Sequence, residues 1–506
     1  MPMRHKCDYS TKMRALSLVD ESKSSIRKVS NILKIPKSTL HDNLPNYRAN
    51  LASFIDLQDR PEYYLVRNIL IQVFEAKSSA RASAMSLSKI MNVNLSHQKV
   101  LLVLDLAAET VNTYGLGNPS FEAVCSAAFD EIFQCHQPIL GFVDPLSAVI
   151  SIKMADDRSS DTWASFLTFL KALGLKPKST VTDGGTGLHS GIRQIFSDSI
   201  QVRDLFHVLN KLLKAKRILE GKCYALIAAF DKAQAKNATD DLEVLNFKMN
   251  EAITLFDLFE TKIRKFKKAC YFGQDEDPCY ISADKLRRIV DDLLENLDQI
   301  QQNISNHRSI HEAYTYLKSG SKSISAYKDL IEKSVNDIFG PINNDVVLRF
   351  ICPIIEYLDQ YRRSHDSREK QGFWGKKIAE LRTSLRQCLL VDQNEVDRAI
   401  TIVSQLMDEV KKSNSLMETV NSVIRCHLQS YKSIPRWFCP LFTYFWNHRK
   451  FARGLRKDCS PNEILSGQKS KGDWVDKLLE NFPFERLCAG NKATIQARGE
   501  DNNQAA

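Results

Sequence analysis

The spacing of hydrophobic residues changes along the chain and separates three kinds of predicted structure. Apolar residues recur at helical intervals through residues 11–48 and, more weakly, through residues 83–113. From about Ser126 the pattern favours short strands, at residues 127–133, 139–143, 148–154, 179–182 and around 200–203, with helices at about 161–173 and after Gly185. Residues 208–410 have almost no strand pattern and many amphipathic stretches, such as 242–266 and 283–304, which indicates a large helical block.

The first 50 residues predict a helix-turn-helix. A helix at about 11–19 precedes a second one at about 24–33, a tight turn at 34–36 and a third helix that begins with Lys37, Ser38 and Thr39. These three residues would face a DNA groove while Leu40 and Leu44 pack inward. The alternative is a three-helix packing module without DNA contact. A second, weaker copy is predicted at 83–113, where the alternative is a helical linker.

The order of the strand-like segments predicts the sheet. Three strands joined by short turns are followed by helix, strand, helix and strand, which is the order of a ribonuclease-H-like fold. We therefore expect an α/β protein. No uninterrupted apolar run approaches the roughly 18 residues that span a membrane, so we expect no membrane association.

The distribution of charge favours a polyanionic partner. The formal net charge is +10, with ten Lys and Arg against four Asp and Glu in residues 1–50, and seven against one in residues 431–460. Lys432, Arg436, Arg449 and Lys450 are therefore candidate DNA contacts. The twelve cysteines form no CxxC pair, which favours a reducing, cytoplasmic compartment over a disulfide scaffold or a zinc site.

Two acids lie in or directly after predicted strands that would be neighbours in the sheet. Asp130 lies in the first run, and Asp183 follows the fourth run and precedes two glycines. Phosphodiester cleavage by two divalent ions needs carboxylates that hold both ions about 3.5–4 Å apart. The glycines would leave the turn unobstructed for a bound phosphate or metal. Glu131 and Asp144 are alternatives to Asp130.

A third acid is predicted on a helix that packs back on the sheet. Glu418 shares one polar helical face with Asn414, Asn421 and Arg425, while Leu416, Val420, Val423 and Ile424 mostly lie away from it. Arg425 could grip a DNA phosphate beside a metal that Glu418 binds. Glu409 and Glu395 are alternatives to Glu418.

Here the chain resembles the DDE transposases of insertion sequences, from Ser86 to Gly467. The family's Glu-x6-Lys/Arg element matches Glu418 and Arg425, but the Tyr and Arg that some groups place before that Glu are Lys411 and Asn414 here. The resemblance rests on Asp130-Glu131-Ile132-Phe133, Val181-Thr182-Asp183-Gly184-Gly185, Asp204-Leu205-Phe206-His207, Met417-Glu418-Thr419-Val420-Asn421, Asn447-His448-Arg449-Lys450-Phe451 and Ser460-Pro461-Asn462-Glu463-Ile464-Leu465.

The resemblance implies that Asp130, Asp183 and Glu418 hold two Mg²⁺ ions, which Mn²⁺ can replace. Asp204 and His207 then support the metal site or position the substrate, and Asn421 is a further supporting residue. The alternative for Asp204 is a simple helix cap. The long interval between Asp183 and Glu418 implies a helical insertion inside the catalytic fold.

The expected fold is thus a ribonuclease-H-like mixed sheet interrupted by a large all-α insertion and preceded by N-terminal helix-turn-helix helices. We expect a transposase that binds double-stranded DNA at terminal inverted repeats and acts as a homo-oligomer. The alternatives are a non-catalytic DNA-binding regulator and a nuclease of the same fold without strand transfer. The predicted segments are a helix-turn-helix domain (1–50), a helical region (51–120), the first part of the core (121–209), the insertion (210–410), the second part of the core (411–470) and a C-terminal segment with a disordered tail (471–506).

Overall fold

The computed structural model describes residues 9–20, 24–45, 47–48, 61–235, 239–271, 280–303, 307–364, 367–389 and 393–487. The chain divides into two compact units, one from the described parts of Met1–Ala107 and Val475–Ala506, the other from Ala108–Trp474. The predicted disordered tail lies outside the described residues. None of the described helices is both long and apolar enough to cross a membrane.

The first unit begins with the predicted three helices, α1 (Tyr9–Asp20), α2 (Ile26–Leu33) and α3 (residues 37–45). Ser25 caps α2, and Lys34 adopts a left-handed conformation with φ 51° that turns the chain toward α3. Leu40 and Leu44 are buried in one apolar cluster of these helices, as predicted. The three helices and their shared apolar cluster are therefore present, while the helix-turn-helix function and its DNA contacts stay a prediction.

Three further helices complete the described N-terminal part: α4 (Pro61–Phe74), α5 (Ala80–Ile90) and α6 (His97–Thr113). The Ser88 hydroxyl bonds to both backbone groups of Leu95 and so closes the turn between α5 and α6. The exposed stripe of α6 carries two acids and no Lys or Arg, a composition that suits a phosphate surface poorly. This favours the helical-linker alternative over a second recognition helix. The stripe consists of Gln98, Leu102, Asp105, Glu109 and Asn112.

The second unit is built on one five-stranded mixed sheet of order β3-β2-β1-β4-β5. Its strands are β1 (Ser126–Gln134), β2 (Gln137–Val143), β3 (Ile150–Met154), β4 (Ser179–Thr182) and β5 (Ile200–Arg203). The first three pair antiparallel, and β1, β4 and β5 run parallel. Helices α7 (Ser160–Ala172) and α8 (Thr186–Ile195) supply the parallel crossovers. The predicted mixed sheet and its order of elements are confirmed.

The two faces of the sheet have different environments because side chains alternate along a strand. Phe129 and Phe142 point to an apolar core that includes Trp163 of α7. Asp130, the next residue of β1, points to the opposite face. An apolar core thus supports one side of the strand that carries the first predicted acid on the other.

The helical block follows β5 as predicted. Helix α12 (Arg308–Val346) contains a kink at Gly340, where φ is 74°. It packs against β5 and against two other helices of the block, α9 (Leu205–Ala235) and α11 (Ala283–Asn303). A π-helical turn, Val347–Ile351, joins α12 to α13. The helices are α9 (Leu205–Ala235), α10 (Thr239–Ala269), α11 (Ala283–Asn303), α12 (Arg308–Val346), α13 (Cys352–Arg363), α14 (Arg368–Leu389) and α15 (Gln393–Glu409).

The chain then returns to the sheet, and shorter helices follow within the described residues. Helix α16 (Ser415–Leu428) packs on β1 and β2, and α17 (Phe438–His448) packs on β3. Asn447 seals the edge strand, because its side chain bonds to both backbone groups of Ile150. Helices α18 (Pro461–Ser466) and α19 (Trp474–Leu479) follow.

Candidate acidic site on the sheet

Three acids line up at one edge of the sheet. Ala128 pairs with Val181 across β1 and β4, so two residues further on Asp130 lies beside Asp183. Thr182 pairs with Arg203 across β4 and β5, so Asp183 lies beside Asp204. The carboxyl ends of parallel neighbouring strands share an edge, which is where α/β sheets place their ligands.

Asp130 is held in a buried position by two hydrogen bonds. Its Oδ1 accepts from the Glu131 amide at 2.8 Å, and its Oδ2 accepts from the Asn421 Nδ2 at 3.0 Å. Burial, and then the charges of Asp183 and Glu418, raise the pKa of Asp130 to about 8, although the Glu131 amide opposes this. The predicted supporting residue Asn421 therefore contacts the predicted first acid directly.

Helix α16 brings Glu418 over the same strand. Asn414, at the start of the helix, donates from Nδ2 to the Phe129 carbonyl at 3.3 Å. Met417 packs into the space that Gly141 leaves on β2, since a Cβ at Gly141 would lie 1.9 Å from the Met417 methyl carbon. Gly141 pairs with Asp130 in the sheet, so this close approach sets the distance between helix and strand at the site.

The packing face of α16 differs from the sequence prediction at Val423 and at Asn421. Met417, Val420 and Ile424 are buried, whereas Val423 is only half-buried. Asn421 lies on the packing face and is 2% exposed, because its amide is directed to Asp130 rather than to solvent. Arg425, by contrast, is exposed.

His207 completes the group around Asp130. Its Nε2 lies 3.6 Å from Glu418 Oε1, and its Nδ1 lies 3.8 Å from Asp204 Oδ2. Asp204 also caps α9, because its Oδ1 accepts from the Phe206 amide at 2.9 Å. Both interpretations of Asp204, helix cap and site support, are therefore compatible with its contacts. Burial raises the pKa of Asp204, and His207 opposes that shift.

Asp183 stands slightly apart from these residues. Its Oδ1 accepts from the Gly185 amide at 2.9 Å, beside the start of α8, a position that favours negative charge. Gly184 has φ 87°, and a Cβ there would lie 1.1 Å from the Arg203 guanidinium. The space that a side chain at Gly184 would occupy is thus filled by Arg203, and an unobstructed approach of a phosphate or metal to this turn stays a prediction.

Two of the alternative acids have structural partners of their own. Glu131 points to the opposite face, where it accepts from Arg158 and Trp163. Asp144 is buried in the β2–β3 turn, where it accepts from the amide and hydroxyl of Ser147. These contacts are structural, so they favour Asp130 as the first acid.

Glu409 lies at the opposite end of the parallel strands from Asp183. Its Oε2 is 2.6 Å from the Nζ of Lys178, the residue just before β4, whereas Asp183 follows β4. The four residues of β4 separate these positions by roughly 16 Å along the strand. Glu395 lies on α15, with its side chain outside the described ones.

The other predicted DNA contacts have varied environments. Lys37, Ser38, Lys432 and Arg436 are exposed and Thr39 is half-buried. Arg449 stacks its guanidinium 4.0 Å from the centre of the Trp446 ring, and the Nζ of Lys450 lies 3.9 Å from Glu463. Trp437 is only 4% exposed and packs edge-on against Tyr431 and Phe438, so it is a core aromatic.

The donor set fits hard divalent ions. One ligand atom each from Asp130, His207 and Glu418 lie within 4.8 Å of one another. Carboxylate oxygens suit Mg²⁺ and Mn²⁺, and an imidazole nitrogen suits the transition ions better than Mg²⁺. The buried Oδ1 of Asn421 has no hydrogen-bond partner among the described residues, as expected if a hydrated ion lies nearby. The eight cysteines whose side chains are described are all free thiols, so none of them forms a disulfide.

The sequence analysis named His207 as a supporting residue together with Asp204, and the structure places its ring between Asp204 and Glu418. It missed Arg203 entirely, since an arginine at the end of a strand carries no sequence signal of burial.

Comparison with known families adds one finding. Residues 143–257 match the family model described as Transposase, Mutator family. No curated protein is significantly similar to the chain in sequence. The match contains Asp183, Asp204 and His207, whereas Asp130 and Glu418 lie outside it. It supports a transposase, and with it a DNA partner and an enzyme that cuts and joins DNA.

Proposed function

We propose that this protein is a DDE-type transposase that binds the terminal inverted repeats of a mobile element, cuts beside them and joins the ends to target DNA. One observation carries the proposal: Asp130, Asp183 and Glu418 converge on one sheet edge from three segments far apart in sequence. The same compact unit contains the residues that match transposases. The strand order and directions of the sheet support a ribonuclease-H-like class for its fold.

The acids would hold two Mg²⁺ ions, or Mn²⁺ in their place, which activate water or a 3′-hydroxyl and stabilise the leaving oxygen. The protein's own contribution is to fix the carboxylates. Asn421 orients Asp130 through its hydrogen bond, and the Gly185 amide orients Asp183. His207, next to both Asp204 and Glu418, orients Glu418 or adds a nitrogen ligand.

DNA recognition is assigned to the N-terminal helix-turn-helix. Lys37 and Ser38 at the exposed start of α3 would reach base edges, as the first residues of a recognition helix do. Arg425 is exposed two turns beyond Glu418 on α16, where it would hold a phosphate of the cleaved strand. We also propose a homo-oligomer on the DNA, because two element ends have to be cut and joined to one target.

A cleavage assay tests this proposal. Duplexes that carry the inverted repeats flanking the gene are incubated with protein and Mg²⁺ or Mn²⁺, and cut and joined products are separated. Asp183→Asn and Glu418→Gln should abolish both products while DNA affinity stays within about twofold, since a neutral amide balances divalent ions poorly. Glu409→Gln is the matched control, and it should cut normally.

Each other outcome identifies a different function. Normal cutting by Asp183→Asn contradicts the site. Cut ends that are never joined identify a nuclease without strand transfer. Binding of the repeats without any cutting by the unchanged protein, at either metal, identifies a DNA-binding regulator.

A further inference from the structure

Arg203, the last residue of β5, is a buried cation between the sheet and the helical insertion. It is 7% exposed. Its Nη1 donates to the Asp183 carbonyl at 2.7 Å, and its Nη2 donates to the Ser319 hydroxyl of α12 at 3.0 Å. Its guanidinium also lies 4.6 Å from the centre of the Tyr316 ring, one turn earlier on α12. One side chain therefore joins the Asp183 loop to the insertion.

Glycine stands on both sides of this contact. A Cβ at Gly184 would lie 1.1 Å from Arg203 Nη1, and a Cβ at Gly320 of α12 would lie 2.5 Å from Arg203 Nε. Gly184 also has a positive φ that other residues rarely adopt. The guanidinium is thus enclosed between the turn after Asp183 and the surface of α12, with little freedom to move.

The chemistry of the contact is not that of an ordinary stabilising ion pair. The hydrogen-bond acceptors of Arg203 are a peptide carbonyl and a hydroxyl, and its buried Nε has no partner among the described residues. A buried charge without a carboxylate partner costs more desolvation than an apolar side chain of similar size. Stability alone therefore does not account for an arginine at this position.

We propose that Arg203 is a positioning residue that couples helix α12 of the insertion to the loop carrying Asp183. The inference rests on the proposed function for its catalytic consequence. A shift of α12 would move the guanidinium, and with it the carbonyl and carboxylate of Asp183, relative to Asp130. The insertion would in this way set whether Asp183 stands at the spacing that the acid cluster needs.

Hydrogen–deuterium exchange of the full-length protein tests the coupling without any catalytic step. Arg203→Met keeps the length and apolar stem but removes the donors, and it should raise exchange in the 182–186 segment by about tenfold. Gly320→Ala alters only α12, yet it should raise exchange in the same segment by displacing Arg203. Arg193→Met, an exposed arginine of α8, and Gly221→Ala, whose Cβ meets nothing within 4 Å, are the matched controls.

Single-turnover cleavage at saturating DNA supplies the second readout. Arg203→Met and Gly320→Ala should lower the rate constant by about tenfold with DNA affinity unchanged, and Arg203→Lys should recover part of the loss. Unchanged exchange of the loop in Gly320→Ala overturns the coupling, even if Arg203→Met fails to fold. If exchange of the 182–186 segment rises in both variants but the unchanged protein never cuts DNA, the coupling is supported and the proposed function is refuted.

Discussion

The raised pKa of Asp130 predicts how the metal-free protein responds to pH. In an unfolded chain an Asp carboxyl has a pKa of about 4, whereas burial and the neighbouring acids raise the pKa of Asp130 to about 8. Between these values the folded protein retains a proton that the unfolded chain has lost. The contribution of Asp130 to stability is therefore complete below about pH 4 and is lost as the pH rises through about 8.

The size of the effect follows from linkage. One proton bound only in the folded state lowers the free energy of unfolding by about 1.4 kcal/mol for each pH unit. From pH 5 to pH 8 the loss is about 4 kcal/mol. Asp130→Asn removes this dependence, because an amide is neutral throughout and its oxygen can still accept from Asn421. The variant should therefore gain about 4 kcal/mol over the unchanged protein across that range.

Urea denaturation in a chelating buffer, followed by tryptophan fluorescence, measures the difference. All five tryptophans belong to the unit Ala108–Trp474, so the signal reports on the unit that holds the acids. Titrating groups outside the acid cluster affect both proteins alike, so the difference between the two curves reports on Asp130 and its coupling to Asp183, Asp204 and Glu418. Parallel curves for the two proteins from pH 5 to pH 8 would refute the described burial and its electrostatic neighbours.

Three other predictions follow from the packing and the charges. Gly141→Ala should lower stability by about 1–3 kcal/mol by pushing against Met417, and Gly141→Ala with Met417→Ala should be more stable than the sum of the single effects, as a double-mutant cycle of denaturation would measure. Replacing residues 37–39 with Ala should lower discrimination between inverted repeats and random duplex by about 1–3 kcal/mol for each base that is no longer recognised, measured by competition binding; unchanged discrimination would place recognition elsewhere. Arg425→Ala should reduce the slope of log affinity against log salt by about one unit, and an unaltered slope in a salt titration would exclude its phosphate contact.

The sheet could be predicted from sequence because its signals are local. The alternation of apolar residues and the turn residues give the limits of β4 and β5 to the residue, and those of the other strands within two residues. The β1–β2 turn was less visible: Cys135 and His136 both adopt positive φ without the Asn-Gly signature of a type I′ hairpin. Periodicity thus predicted the type of each element, but it did not predict the backbone conformation of this turn.

The site could be predicted only in part because its contacts are long-range. The alignment of Asp130 with Asp183 follows from strand order alone. The burial of Asn421 and the partial exposure of Val423 depend on how α16 rotates over β1, which the 3.6-residue period leaves open by a residue or so. The enclosure of Arg203 between Gly184 and Gly320 joins residues more than a hundred positions apart, and no local pattern records it.

The concentration of acids at the site favours the binding of a cation. Burial, and then the charges of Asp183, Glu418 and Asp204, raise the pKa of Asp130, and folding without a cation must overcome this repulsion among the acids. The protein supplies only partial compensation, through His207 beside Glu418 and the Gly185 amide at the start of α8. Residues that served stability alone would not be concentrated in this way. A divalent cation would remove the repulsion, so metal binding should stabilise the folded unit and release a proton from Asp130 below about pH 8.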